Sequence, residues 1–336
     1  MSETRFDVVG IGNAIVDIIG RCDDAFLEAH NAPKGSMQLV DADGISAIYS
    51  DMGPTLEASG GSAANTIVGI ASFGAKTSFI GKTADDEFGK IFSHDIRAAG
   101  VDFPSKPVAG KAPTSRSLVL VTPDGERTMN TFLGISTDLD DGEVDPDTIN
   151  ASSIVYLEGY LFDQHEAKEA FRQAVRLAKA SDRRVALSLS DGFCVDRHRG
   201  EFLQLIKDGV DILFANESEI TALYETTDFD TAAHNVAKDT NLAALTRGSE
   251  GSLIIADGQR YIIPSAPVSA VVDTTGAGDL YAAGVLYGLA ANLGYETAGH
   301  LGSLAAAEVI SHMGARPETS LAKLAKEKGL ISNSVK

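Results

Sequence analysis

The sequence predicts an α/β protein: a doubly wound, mostly parallel sheet flanked by helices, with a small second β-sheet beside it. Three observations lead there. Between residues 151 and 256, short apolar runs alternate with amphipathic helical stretches, the rhythm of successive βα units. Between residues 105 and 135 that rhythm breaks, and two strand-like runs flank the turn Pro123-Asp124-Gly125. Near the C-terminus, Val272-Asp273-Thr274-Thr275-Gly276-Ala277-Gly278-Asp279 reads as a strand end and tight turn opening a long apolar helix, Leu280 to Leu293.

Phe6 to Gly12 is an apolar run ending in glycines and reads as a buried strand. Gly10-x-Gly12-x-x-Ile15 lacks the third glycine of a dinucleotide fingerprint, which argues against that cofactor. In Ile15-Val16-Asp17-Ile18-Ile19 an acid interrupts an apolar run, so Asp17 must face water or a partner. Asp23 to Glu28 reads as a short helix, Ser36 to Val40 as a strand and Ile45 to Tyr49 as a helix. Gly60-Gly61 supplies a flexible turn before a helix from Ala63 to Phe73. Asn65 falls in its first turn, either as a cap or facing a ligand held at the helix start. Gly81-Lys82-Thr83 is not a P-loop, because Lys76 stands where the first glycine belongs.

Thr114 to Val121 and Arg127 to Leu133 form a hairpin, and the strands around Asp17 and Ser36 to Val40 can pair with it as the small sheet. Beyond it come strands at Ile154 to Leu157, Val185 to Leu189, Ile212 to Ala215, Leu242 to Thr246 and Ser252 to Ala256. The helices between them are His165 to Ser181, Arg199 to Lys207, Glu217 to Tyr224 and Thr231 to Lys238. In such sheets ligands bind beyond the carboxyl ends of the strands. Asn216, Thr246 and the Asp273 turn each follow a strand in this reading, so they should converge at one edge.

Composition narrows the function. The chain has 336 residues, 44% apolar, enough for a sizeable core. Its net charge of −19 argues against nucleic acid as a partner. Cys22 and Cys194 form no metal or redox spacing and read as reduced cytosolic thiols. No charged-then-apolar leader and no membrane-length apolar run is present, so a cytoplasmic protein without a membrane partner is expected.

The chemistry concentrates at residues 276 to 279. A helix N-terminus offers unsatisfied N–H groups and partial positive charge, and so attracts anions. Asp279 at that end is compatible with a first-turn acid that only caps the helix. Its other reading is a base that takes a proton from a hydroxyl attacking a bound phosphate. Asn216-Glu217-Ser218-Glu219 carries a similar ambiguity: a capping box, or oxygen donors suited to magnesium.

Gly60-Gly61-Ser62-Ala63-Ala64-Asn65-Thr66, followed by Ile80-Gly81-Lys82-Thr83-Ala84-Asp85-Asp86-Glu87-Phe88-Gly89 and Ala99-Gly100-Val101, joins the 276–279 turn in a common pattern. Together these stretches resemble the two signatures of the ribokinase-like (PfkB) carbohydrate and nucleoside kinases, from Gly10 to about Pro317. The resemblance implies one kinase domain over residues 1–336, with a lid made by segments of about 14–50 and 105–135 and hinged at Gly60-Gly61. It implies ATP with Mg²⁺, a small-molecule acceptor, and a monomer or homodimer. Asn13, Asp17, Gly61, Ser62 and Asn65 would bind the acceptor, with Asp17 accepting from sugar hydroxyls. Asp279 would be the base, and the N–H groups of Gly276, Ala277 and Gly278 would stabilise the phosphoryl oxygens. Asn216 and Glu219 would act on Mg²⁺ through water, and Thr246 and Gly248 would lie near the ATP phosphates. Asp273 and Ser311-His312-Met313-Gly314 fall where some relatives hold potassium.

Within that family, Gly10-Ile11-Gly12-Asn13 with Asp17-Ile18, Leu187 to Ser190, and Val210 to Glu219 are similar to adenosine kinases. Met37-Gln38-Leu39 and Tyr160-Leu161 depart from the pattern those enzymes use around the base. The expected reaction is therefore phosphorylation of a ribonucleoside's primary hydroxyl, adenosine to AMP, with ribose, fructose or 2-keto-3-deoxygluconate as alternative acceptors. A sensor on the same fold is the non-catalytic alternative. Arg116 and Arg127 are the candidate cations for a substrate carboxylate.

Overall fold

The computed structural model describes residues 4–332. Strand β1 (Phe6–Ile11) runs into β2 (Ile15–Arg21), then α1 (Asp24–Ala29), β3 (Met37–Leu39), α2 (Ala42–Asp51) and β4 (Thr55–Gly60). Next come α3 (Ser62–Ser72), β5 (Thr77–Ile80), α4 (Glu87–Ala98) and the hairpin of β6 (Ser115–Val121) and β7 (Arg127–Phe132). The regular half begins with α5 (Pro146–Asn150), β8 (Ser152–Glu158), α6 (His165–Ala180), β9 (Arg184–Ser188) and α7 (Gly192–Gly209). It continues through β10 (Ile212–Asn216), α8 (Glu217–Leu223), α9 (Phe229–Asp239), β11 (Leu242–Thr246), β12 (Ser252–Ala256) and β13 (Gln259–Ile263). Helices α10 (Ala277–Ala290), α11 (Tyr295–Val309) and α12 (Leu321–Glu327) complete the described chain.

Among the described residues the large sheet has eight strands, in the order β13-β12-β11-β10-β9-β8-β1-β5. All pairings from β5 to β11 are parallel, and β12 and β13 add an antiparallel edge. Its strands read as continuous apolar runs because both faces are covered. Val8, Ile154, Tyr156 and Phe214 pack in one core with α3, α10 and α11 residues, while Val9, Val155, Leu157 and Leu213 join α6 and α7 in the other. From β1 the chain builds outward first to β5 and later to β8, so the winding reverses beside β1 and leaves a crevice at its carboxyl end.

The small sheet runs β3-β7-β6-β2-β4. It takes in β4, which lies outside the segments expected from the sequence; Gly60 closes a strand, and the turn is made at Gly61 alone. Register divides its faces. Val16, Ile18, Leu118 and Leu120 are buried beneath α2 and α4. The other face carries Asp17, Ser117 and Thr131 in one cross-strand row and Leu56, Ile19, Val119, Met129 and Met37 in the next.

Other expectations need correction. Strands β5 and β13 and helix α4 were not read from the sequence, and a helical stretch from Gly192 precedes the helix expected from Arg199, the two joined across non-helical backbone at His198. No strand precedes the Asp273 turn. The N–H groups of Val272 and Asp273 both reach the Ile310 carbonyl (2.8 and 3.3 Å), so this backbone is held by the end of α11 rather than by a sheet neighbour. Among the described residues no helix is long and apolar enough to cross a membrane.

Candidate active site

Three backbone features bring the site together. Strands β1 and β8 end side by side, presenting Asn13 and Glu158. Helix α3 starts directly after Gly61, whose φ of 96° a residue with a side chain adopts only under strain. A Cβ there would also strike the Asn13 carbonyl. Helix α10 starts after Gly276, in the left-handed conformation (φ 78°), with Ala315 so close that a Cβ would lie 2.8 Å from it.

Neither α3 nor α10 is capped by the side chain of its own N-cap residue. At α3 the Ala63 N–H donates to Glu158 Oε2 (2.7 Å), whose other oxygen receives the Asn13 N–H (3.2 Å) and side-chain amide. Burial pushes the Glu158 carboxyl up to about 7 against these three donors. At α10 the Ala277 N–H closes the turn on the Thr274 carbonyl (3.2 Å), and the space in front of Gly278 is open.

Asp279 sits where the two helix starts meet. Ser62 Oγ donates to its Oδ1 (2.6 Å) and Asn65 Nδ2 to its Oδ2 (3.1 Å). Burial raises its carboxyl above the ordinary range, opposed by those two bonds and by the Arg316 charge. Each oxygen has one protein donor and keeps acceptor capacity for a further hydroxyl. Asp17, on the facing sheet, is raised to about 6 by burial, offset by Arg316, raised again by Asp279 and lowered by Arg127. Thus Asp17, Ser62, Asn65 and Asp279, far apart in sequence, share one cleft.

On the other side of the cleft, Asn216 and Thr246 end neighbouring strands in register. Asn216 and Glu219 form a complete capping box: the Glu219 N–H reaches Asn216 Oδ1 (2.8 Å) and the Asn216 N–H reaches Glu219 Oε2 (2.9 Å). Burial lifts Glu219 to about 7, with Asp191 and Asp279 adding to it, which puts Glu219 within electrostatic reach of the α10 start. Gly248 turns the loop after Thr246 at a φ of 56°.

Asp273 is buried and its oxygens are occupied. Oδ1 receives the Thr275 N–H (3.0 Å); Oδ2 receives the Gly314 N–H (3.0 Å) and pairs with Arg127 Nη1 (2.7 Å). Arg127 therefore joins the small sheet to the α10 turn, with its Nη2 buried and lacking a protein partner. Arg116 lies on the opposite face, its guanidinium over Phe88 and Phe132 (4.9 and 5.8 Å), away from Asp17. Two residues went unread in the sequence: Glu158 and Arg316. The signal for Glu158 was an acid ending an apolar strand; Arg316 lies in an irregular loop with no pattern to mark it.

A family model described as pfkB family carbohydrate kinase matches residues 53–321. The chain belongs to that family. It is similar to the adenosine kinase of Sinorhizobium meliloti, 51% identical with a TM-score of 0.90, over 97% of this chain and 100% of that one. It is also similar to a probable sugar kinase protein from Rhizobium etli, 49% identical with a TM-score of 0.92, over 98% of this chain and 100% of that one. An ATP-dependent ribose-1-phosphate kinase of Halopiger xanaduensis is 30% identical over 74% of this chain and 78% of its own length. This pfkB member is therefore a sugar or nucleoside kinase, and kinases of this family use ATP with Mg²⁺.

Proposed function

We propose that this pfkB kinase phosphorylates the primary hydroxyl of a ribonucleoside, adenosine before others, at the expense of ATP. The observation that carries this reading is the open face of the small sheet. The polar row with Asp17 lies directly beside an apolar row, and Leu56 and Met37 of that row are 66% and 47% exposed. A hydroxyl-bearing ribose joined to a flat apolar base matches those two rows in order. The extent of the likeness to an adenosine kinase supports the same choice.

In this reading the ribose hydroxyls donate to Asp17, with Asn13, Gly61 and Asn65 lining the pocket, and the small sheet acts as a lid excluding water. Asp279 takes the proton of the primary hydroxyl. The hydroxyl oxygen forms a bond to the γ-phosphorus as the bond from that phosphorus to the β,γ-bridging oxygen breaks, releasing ADP. The N–H groups at Gly276 and Gly278 face the charge that builds on the phosphoryl oxygens, while the Ala277 N–H, expected to join them, holds the turn through the Thr274 carbonyl; each such donor is worth about a hundredfold or more in rate. Thr246 and Gly248 flank the nucleotide.

No cluster of three or more metal-ligating His, Cys, Asp or Glu side chains occurs among the described residues. A magnesium ion would arrive on the ATP phosphates and keep its water, since Asn216 and Glu219 are engaged in their own capping box. When bound, the ion supplies counter-charge to the phosphate oxygens. The free thiols Cys22 and Cys194 accord with a cytoplasmic enzyme acting on small molecules.

A second reading, a kinase of a free or phosphorylated sugar, draws support from the ribose-1-phosphate kinase relative. The deciding experiment is Mg²⁺-dependent ADP formation with adenosine, inosine, ribose, fructose and 2-keto-3-deoxygluconate compared. A kcat/KM for adenosine at least tenfold above every sugar is expected. A preference for a sugar would move the chain to the second reading with Asp279 unchanged in role.

A further inference from the structure

Arg316 is placed where an irregular loop meets the site. The loop after α11 does two things before reaching it: the Gly314 N–H holds Asp273, and Ala315 packs under Gly276. The guanidinium then turns into the cleft. Its Nε donates to Asn65 Oδ1 (2.8 Å) and its Nη2 to Ser59 Oγ (3.0 Å). Ser59, on β4, passes its own N–H (2.8 Å) and hydroxyl (2.5 Å) to Asp95 Oδ2 on α4.

The direction of these bonds matters. An asparagine amide has an accepting end and a donating end that can exchange by rotation. A guanidinium has only donors, so it compels the oxygen end to face Arg316 and leaves the Nδ2 end for Asp279 Oδ2. The same cation stands amid several carboxylates: Asp279 on α10, Asp17 on β2 and Asp95 on α4. Arg127 on β7 adds a second positive charge at Asp17, while Glu158 on β8 and Glu219 on α8 lie near enough to Asp279 for each to be pushed up by it. Burial draws the Arg316 pKa down to about 10, which still leaves it charged at neutral pH.

We infer that Arg316 is a positioning residue of the phosphoryl transfer: its guanidinium fixes Asn65 as a donor to Asp279 and supplies a positive charge that favours the carboxylate forms of Asp17 and Asp279. This rests on the reading of Asp279 as the base. Losing the cation should let both carboxyls rise, since an opposite charge at close range holds a carboxyl down by about one unit or more.

The test is acceptor-dependent ADP formation from pH 4.5 to 9 for wild type, Arg316→Met, Arg316→Lys and Asp279→Asn, with melting temperatures of each. The titration of ATP itself is common to all four. In Arg316→Met the acid limb of kcat/KM is expected to move up by about one pH unit, so that activity falls about tenfold more at pH 5 than at pH 8. In Arg316→Lys the charge remains and the limb stays in place, while kcat falls because a lysine cannot hold the amide and Ser59 together. A lowered melting temperature with an unmoved limb in the methionine variant would overturn the inference, reducing Arg316 to a structural role. Inactivity of both folded variants would also overturn it, placing the guanidinium on the reacting atoms. Turnover in Asp279→Asn would sink the base assignment instead, and the displaced limb would still report the Arg316 charge at Asp17.

Discussion

Two helices of this protein begin with the same local pattern and use it in opposite ways. In α8 the N-cap is Asn216 and the acid three residues later is Glu219; in α10 the N-cap is Gly276 and the acid three residues later is Asp279. Glu219 folds back on its own N-cap, and the helix end is closed by its own side chains. Asp279 is one carbon shorter and faces a glycine cap with no side-chain donor; it is held instead by Ser62 and Asn65 of another helix. The Ala277 N–H turns back to the Thr274 carbonyl, and in the proposed reading the glycine N–H groups beside it are left to a ligand. An acid at this position closes a helix when the cap residue can answer it, and becomes available for chemistry when a glycine stands there and a second helix holds the carboxylate.

The largest effect separating the two ends should come from removing each acid. Asp279→Asn is expected to lower kcat by about 10²–10⁴-fold, as for loss of a general base, with ATP affinity by calorimetry near that of wild type. Glu219→Gln should reduce kcat by less than about tenfold. Comparable kinetic losses in the two variants would break the contrast between a closed and an open helix end.

A second test addresses the other helix with a glycine N-cap, α3. Gly61→Ala must hold a positive φ and also displace the Asn13 carbonyl, so a loss of about 1–3 kcal/mol is expected from the strain alone. Denaturant unfolding measures it; an unchanged midpoint would mean that the α3 start relaxes without cost and does not set the site.

The facing carboxylate gives a pH dependence. In the proposed reading Asp17 accepts the acceptor's hydroxyls far more strongly when ionised, and its pKa is raised to about 6. Binding through it is therefore complete well above pH 6 and lost as the pH falls through that value. Acceptor KM should rise about tenfold between pH 7.5 and pH 5, in line with the falling ionised fraction. A KM flat across that interval would remove Asp17 from the acceptor site.

The smallest effect concerns the closed end itself. Asn216→Ala should cost ~1 kcal/mol in stability through the lost cap, read by thermal unfolding, with the Mg²⁺ requirement within threefold of wild type. A larger shift in Mg²⁺ half-saturation would show that the capping box also serves the metal side of ATP.

Much of this was legible in the sequence where local physics suffices. The parallel half announced itself because strands buried on two faces must be apolar throughout and the intervening helices on one stripe only. The small sheet was readable from its turn and hairpin, but β4 was not: Leu56 and Ala58 face the cleft, and the glycines that follow look like punctuation. Asn216 and Glu219 left two readings open because a capping box and a pair of oxygen donors have the same spacing; the structure supplies the box.

By itself the sequence determined the order of elements in the parallel half and the acid at the open glycine turn. Those follow from periodicity, backbone freedom and charge, which act over a few residues. Only the tertiary structure decided which groups meet: Arg316 against Asn65, 251 positions apart, Ser62 against Asp279, 217 apart, and Arg127 against Asp273 rather than Arg116. Such contacts depend on how two sheets and the loop after α11 close on one crevice, and no local preference encodes that distance.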